Sequence, residues 1–184
     1  MLLHVFAGKA NKSDGLAAHL EKVGIDCEEI DTVINARKHN LLTDTVFHQL
    51  LKKARKGEFC MGVFGVPCST FSVARIKTQG DEEGEGPRPV RGRQANEREG
   101  KRKLTREEQY EVKVANMLVN RSVELAMAIA HSGGGVIFEN PSDRGNANSH
   151  DSVIRGLCQE CYSDHMPLWL MPEMEHENEH TNSL

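Results

Sequence analysis

Cys60-Met-Gly-Val-Phe-Gly-Val66, followed at once by Pro67-Cys68-Ser69-Thr70-Phe71-Ser72, decides the fold of this chain. Seven residues of nearly unbroken apolar character read as a strand buried on both faces, the habit of parallel strands covered by helices. The proline fixes the turn beyond the strand. Upstream, Phe47–Ala54 has the spacing of an amphipathic helix stopped at Lys56-Gly57, and Ile25–Ile30 reads as a strand ending in the acids Glu28, Glu29 and Asp31. Before that, Leu16, Ala17, Leu20 and Val23 share one face of a predicted helix over 16–23, with Gly24 at its C′ position, and Leu2–Ala7 is an apolar run ending at Gly8.

Downstream, Thr105-x-x-Glu108 has the form of a capping box that opens a long helix. Val112, Ala115, Leu118, Val119, Ser122, Leu125, Ala126 and Ile129 recur at helical spacing to about His131; Gly133-Gly134-Gly135 ends the helix. Val136–Phe138 is a further short buried strand, followed by Glu139-Asn140-Pro141. Strand and helix thus alternate in units of roughly 30 residues, which predicts an α/β fold with a doubly wound, mostly parallel sheet.

Bulk properties narrow the possibilities. A chain of 184 residues holds one domain with a real core, and its 38% hydrophobic and 27% charged content is ordinary for a globular protein. No apolar run approaches the ~20 residues of a membrane span, and the N-terminus has no basic region or cleavage site of a signal peptide, so an intracellular, cytoplasmic or nuclear protein is expected. Five cysteines, at 27, 60, 68, 158 and 161, form an odd set without framework spacing and suit a reducing compartment. The net charge of −4 argues against a uniformly basic nucleic-acid binder, yet the charge is segregated. Residues 77–106 lack apolar periodicity, and after the acids Asp81–Glu85 they carry eight cations against two acids from Arg88 to Arg106. This stretch is expected to be a charged loop or insertion, either merely solvated or in contact with phosphates.

Open α/β sheets bind ligands outside the carboxyl ends of their strands, and the candidate functional residues cluster there. Phe6-Ala7-Gly8 leads into a loop that closes at Asp14-Gly15 before a helix and offers backbone N–H groups to a ligand. Glu29 and Asp31 end the second strand, where a carboxylate can accept from ribose hydroxyls; a solvated acidic turn is the alternative. Cys68 beyond a buried strand is a candidate exposed nucleophile, although a free cysteine is more often an inert core residue. Glu139 emerges from an apolar strand, and such a carboxylate often has a ligand or proton-transfer role.

Together these segments resemble the ordered motifs of the cytosine-C5 DNA methyltransferase family. Phe6-Ala7-Gly8 is similar to its first S-adenosylmethionine motif, Glu29 with Asp31 nearby to its ribose-binding acid, Pro67-Cys68 with Phe71-Ser72 to its Pro-Cys nucleophile motif, and Glu139-Asn140 to its Glu-Asn pair. The closer likeness is to a divergent methyltransferase-like group, through Pro67–Arg75, Gly86–Arg93, Glu139–Gly145 and Asp164–Trp169. The resemblance spans about residues 2–172 and implies a Rossmann-like, S-adenosylmethionine-dependent methyltransferase domain over 1–172 with a polar tail at 173–184. It implies that Cys68 attacks C6 of a cytosine, that Glu139 holds the base and that Asn140 fixes the loop. Phe6, Gly8, Glu29, Asp31, Asn40 and Pro67 would bind the cofactor, and Arg75, Arg88, Arg91 and Arg93 would contact DNA or RNA.

The chain departs from the family's pattern in several places. Ser69 stands where the family usually has Gln, and Asn40 stands where an acid follows the family's third strand. No Gln-x-Arg-x-Arg segment, target-recognition domain or final cofactor motif is present before Leu184, so a sheet incomplete at its C-terminal edge is expected, open to self-association or a partner. An inactive remnant that keeps the fold and binds cofactor or nucleic acid is the alternative function. Cys158-x-x-Cys161 with His165 has zinc-ligand chemistry but lacks a second pair, and no metal is expected.

Overall fold

The computed structural model describes residues 1–9, 12–71, 88–91, 97 and 99–139. They belong to two compact units, Met1–Pro67 with Met117–Glu139, and the described part of Cys68–Asn116. Asn140, Arg75 and Arg93 lie outside the described residues, as do Cys158, Cys161, His165 and the tail at 173–184.

The first unit is built on four strands, β1 (Leu2–Val5), β2 (Cys27–Ile30), β3 (Met61–Phe64) and β4 (Gly135–Phe138). All pairings are parallel and the order is β2-β1-β3-β4, so the expected parallel α/β sheet is present. The helices are α1 (Leu16–Glu21), α2 (Asp44–Arg55) and α3 (Arg106–His131), the last reaching this unit from Met117 onward. The register aligns Leu3 with Glu28 and Gly62, and Val5 with Ile30 and Phe64, so these residues share one face. Leu3, Val5 and Phe64 are fully buried there. Ile129 of α3 lies over Gly62, and Lys53 of α2 reaches Glu28 at 2.8 Å, so both long helices cover that face.

Helix α1 lies along the other face, where its Ala17 and Ala18 line a cleft with Cys27 and Glu29 of β2. The chirality of crossovers explains the split. The chain steps from β1 outward to β2, then back across β1 to β3, and right-handed connections running in opposite directions put their helices on opposite faces.

Two expectations need correction. The apolar stripe of α1 is not a core face: the helix has only six residues and buries none of them, and Val23 is 69% exposed beyond its end. Gly24 turns the chain with φ 73° before a second helical turn can form a broader seam. Secondly, the third strand that the resemblance puts before Asn40 is absent, since no strand lies between Asp31 and Thr43. Side-chain oxygens of Asp31, Asn35 and Asn40 accept from the backbone N–H groups of Val33, Lys38 and Leu42 at 2.8, 2.9 and 3.0 Å. Such local bonds give the backbone an alternative to a ladder, so β2 is an edge of the sheet among the described residues.

Packing of α3 onto α2 is pinned by Arg121. Its guanidinium donates to the Leu41 carbonyl at 2.8 Å, pairs with Asp44 and lies 4.8 Å from the Phe47 ring centroid. No helix among the described residues is long and apolar enough to cross a membrane.

In the second unit the expected capping box is present: Glu108 N–H donates to Thr105 Oγ1 at 3.2 Å, and Thr105 N–H donates to Glu108 Oε2 at 2.7 Å. Arg88 adds a fork, with Nε and Nη2 each 2.5 Å from a Glu108 oxygen. This pairing, reinforced by the Thr105 bonds, holds the Glu108 carboxyl down at about 2.

Candidate functional site

In the first unit the direction of strand addition reverses between β1 and β3, the position at which open parallel sheets form a ligand crevice. The segments leaving the carboxyl ends there are Phe6-Ala7-Gly8 after β1, Asp31 after β2, Gly65-Val66-Pro67 after β3 and Glu139 after β4.

Phe6 is held in the left-handed region at φ 64° and Gly8 follows at φ 78°. Glycine adopts that conformation freely, whereas for phenylalanine it costs about 1–2 kcal/mol. Phe6 is the only non-glycine residue with positive φ among the described residues, and such strain concentrates at ligand-binding turns. The conformation is fixed on one side by Phe6 N–H donating to the Ile30 carbonyl at 2.7 Å. On the other side Gly8 N–H donates to Asp31 Oδ2 at 2.9 Å, tying the loop after β1 to the end of β2.

The two acids considered for ribose therefore have different places. Asp31 stands beyond the end of β2 against the β1 loop. Glu29 lies back within the strand, aligned with His4 and 3.9 Å from its Nδ1. His4 Nδ1 is buried and has no hydrogen-bond partner among the described residues. Burial lowers the His4 pKa below its ordinary value, against the pull of Glu29, Glu139 and Asp31, so the neutral ring is favoured.

Glu139 extends the ladder one residue past β4, its N–H donating to the Phe64 carbonyl at 2.9 Å. A Cβ placed on Gly65 would lie 3.2 Å from Glu139 Oε2 and 3.7 Å from the Phe6 carbonyl oxygen. The missing side chain at position 65 thus leaves room for the Glu139 carboxylate to lean across the end of β3 toward β1. Sequence inspection passed over Gly65 and read His4 as a satisfied core or edge histidine, whereas its buried Nδ1 has no hydrogen-bond partner among the described residues. Their signal was parity: β-strand alternation puts His4, Phe6, Gly65 and Glu139 on one side of the sheet.

Asn40 sits away from the strand ends' ladder, its Oδ1 taken by the Leu42 N–H. A cleft of about 440 Å³ runs between α1 and β2, lined by Lys12, Ser13, Gly15, Cys27 and Glu29 among others, large enough for part of a nucleoside-sized ligand. Burial, and then the charge of Glu29, push the Cys27 thiol up to about 11.

The second unit begins at Cys68. Pro67, Cys68 and Ser69 are exposed, whereas Thr70 and Phe71 are buried, and Phe71 N–H closes the turn onto the Cys68 carbonyl at 2.8 Å. The exposure expected of Cys68 is thus present. Of the arginines expected to contact phosphates, Arg88 is committed to Glu108, and Arg91 is only 6% exposed, its donors turned onto Thr70 and Asn116. Arg102, Lys103 and Arg106 are exposed instead; composition counted them within the basic block but did not separate them from the inward-facing cations.

Among the described residues no group of three or more His, Cys, Asp or Glu is arranged to hold a metal ion. What the first unit does bring together is a strained backbone loop, a carboxylate bonded to that loop and a second carboxylate leaning over the crevice. These are acceptors and donors suited to the hydroxyl and amino groups of a nucleoside. No protein-family model, curated protein or solved structure matches the chain.

Proposed function

We propose that the chain is a cytosine-C5 methyltransferase-like domain that binds S-adenosylmethionine at the β1–β3 crevice and acts on a cytosine in DNA or RNA. One observation carries the reading: Phe6–Gly8 and Glu139, which resemble family motifs, and Asp31, close to the Glu29 that does, meet at the topological switch point of a parallel sheet. In this reading Asp31 takes the role of ribose acceptor in preference to Glu29, because it lies at the end of the strand and against the loop. Backbone groups of Phe6–Gly8 hold the amino-acid part of the cofactor, with Asn40 and Pro67 as further contacts. The bound cofactor supplies an electrophilic methyl group.

Cys68 acts as a thiolate that adds to C6 of the base. The C5–C6 π electrons move toward C5 and the pyrimidine ring, and a proton delivered to N3 through the Glu139 carboxyl group neutralises the charge that develops there, while its other oxygen accepts from the exocyclic amine. With the cofactor bound, C5 would take the methyl group as the sulfonium sulfur leaves as a neutral thioether; C5 and N3 would then give up their protons to solvent, and the C6–S bond would break to return the thiolate. Asn140, outside the described residues, keeps only the role that the resemblance implies, fixing the loop. The base must leave the stack to reach such groups, and the exposed Arg102, Lys103 and Arg106 supply phosphate contacts whose strength falls with salt.

The test is a covalent adduct with an oligonucleotide containing 5-fluorocytosine, whose fluorine cannot leave as a proton, incubated with cofactor. The expected result is a Cys68-dependent adduct that Cys68→Ser abolishes. Heat of S-adenosylmethionine binding without any adduct would leave a cofactor-binding remnant, and absence of both would overturn the methyltransferase reading.

A further inference from the structure

We propose that Arg91 is the positioning residue of the Cys68 turn, holding the exposed thiol in one geometry through Thr70 and Phe71. The role it positions for rests on the reading of Cys68 as nucleophile; the clamp itself does not.

The turn has two halves. Cys68 and Ser69 face solvent, while Thr70 and Phe71, 4% and 5% exposed, are its packed end. The thiol's position is therefore set by what holds residues 70 and 71, relayed through the Phe71 N–H bond to the Cys68 carbonyl. Arg91 supplies the hold. Its Nε and Nη2 both donate to Thr70 Oγ1, at 3.2 and 3.0 Å, and its Cζ lies 3.8 Å from the Phe71 ring centroid. Nη2 also donates to Asn116 Oδ1 at 2.7 Å. One planar cation thus grips two consecutive residues of the turn, one by its edge and the other by its face, and anchors both to α3.

The anchor is itself secured. Asn116 is oriented by its Nδ2 donating to the Glu99 carbonyl at 3.0 Å, and the segment carrying Arg91 is held by Lys101 N–H donating to the Val90 carbonyl at 2.9 Å, with Val90 fully buried. A buried cation is an expensive way to fill space, and an aliphatic side chain would serve packing alone. The fork and the stacked plane are specific to arginine; lysine keeps the charge but can present neither. The combination of burial, directional donors and an adjoining exposed thiol is what distinguishes a positioning role from core filling.

The experiment uses the full chain, as wild type, Arg91→Lys, Thr70→Val and the double variant. Amide exchange at Phe71 reports the turn, with the α3 amides as internal reference. Alkylation of Cys68 by iodoacetamide is read by mass spectrometry against the exposed Cys60. Adduct formation on 5-fluorocytosine is followed beside cofactor binding. In Arg91→Lys, Phe71 exchange is expected to rise roughly ten- to hundredfold while α3 protection stays, because a charge-assisted bond and its stacked partner are lost. Cys68 alkylation should accelerate relative to Cys60 as the thiol is freed, while the adduct forms about tenfold more slowly or worse with cofactor affinity unchanged. General loss of stability would not move the two Cys68 reactions in opposite directions with α3 intact. Thr70→Val should show the same signs, and the double variant no more than the larger single effect.

Unchanged Phe71 exchange and an unchanged Cys68-to-Cys60 ratio in a folded Arg91→Lys protein would overturn the proposal, as would additive effects in the double variant. If Arg91→Lys loses α3 protection as well, Thr70→Val decides by the same readouts. If wild type forms no adduct, the methyltransferase reading falls, while exchange and alkylation still decide whether Arg91 holds the turn.

Discussion

Adding one methyl group to Gly62 tests the packing of α3 on the sheet. A Cβ at this position would lie 2.7 Å from Phe64 Cε2 and 2.8 Å from Ile129 Cδ1. Carbon atoms pack at about 3.5–4.0 Å, so the two neighbours must withdraw by about 0.7–1.3 Å. Neither has anywhere to go, because Phe64 and Ile129 are both fully buried. Overpacking of this kind costs about 1–3 kcal/mol. The opposing gain is the smaller unfolded-state entropy of alanine, about 0.4–1 kcal/mol, available because Gly62 does not use a left-handed backbone. The difference predicts that Gly62→Ala destabilises the protein by about 1–2 kcal/mol, or lowers the melting temperature by roughly 2–8 °C for a chain of this size. Urea titration followed by circular dichroism measures it, as a lower midpoint with unchanged slope. Gly134→Ala should cost more, since its Cβ would meet Ile129 Cγ2 at 2.6 Å and the Phe59 carbonyl oxygen at 2.9 Å, and backbone yields less than a side chain. A neutral or stabilising Gly62→Ala, or a reversed ranking, would refute the close approach of α3 to β3.

Two further expectations concern titration. With its thiol at about 11, Cys27 should resist iodoacetamide at pH 8 while the exposed Cys60 and Cys68 react; labelling of Cys27 at a comparable rate, read by peptide mass mapping, would contradict its burial beside Glu29. Glu108, with an ordinary value of 4.5 and a folded value of about 2, binds its proton more weakly when folded, so its contribution is complete above about pH 4.5 and disappears as the pH falls toward 2. The stability gap between wild type and Glu108→Gln, from thermal melts across pH, should therefore be constant near neutrality and close in acid; because Arg88 is half-exposed the gap is small, and one that widens in acid would reverse the sign of the argument.

Regular elements were legible wherever local chemistry and tertiary packing agreed. Thr105 and Glu108 announce the start of α3, and the apolar positions from Val112 to Ile129 form its buried side, because a long helix has room to display its period. Helix α1 shows the failure: Leu16, Leu20 and Val23 have helical spacing, yet six residues cannot cover a sheet face. The missing strand after β2 has a similar cause, since Asp31, Asn35 and Asn40 satisfy the backbone locally, which apolar patterning does not register. For the site, motif order pointed to Phe6, Gly8, Glu29, Asp31 and Glu139, but not to which of the two acids ends the strand, because that depends on register to a single residue. Gly62 and Gly65 look alike in sequence; one faces a helix and the other a carboxylate. Arg91 was hidden by its neighbours, since a block of cations gives no hint which one turns inward.

Because β1 lies between β2 and β3, the segment of lowest residue number in the sheet is also its middle. Trimming residues 2–5 would not shave an edge. It would remove the strand to which both neighbours bond and leave β2 and β3 about 9–10 Å apart, two strand spacings, with no backbone between them. The same arrangement separates the ends of the sheet by purpose: Leu2 enters at one end, bonded to the Asp26 carbonyl, and Phe6 leaves at the other, in the crevice. A label or fusion attached ahead of Leu2 is thus directed to the far end of the sheet, while a deletion of the same few residues destroys the crevice by removing one of its two walls.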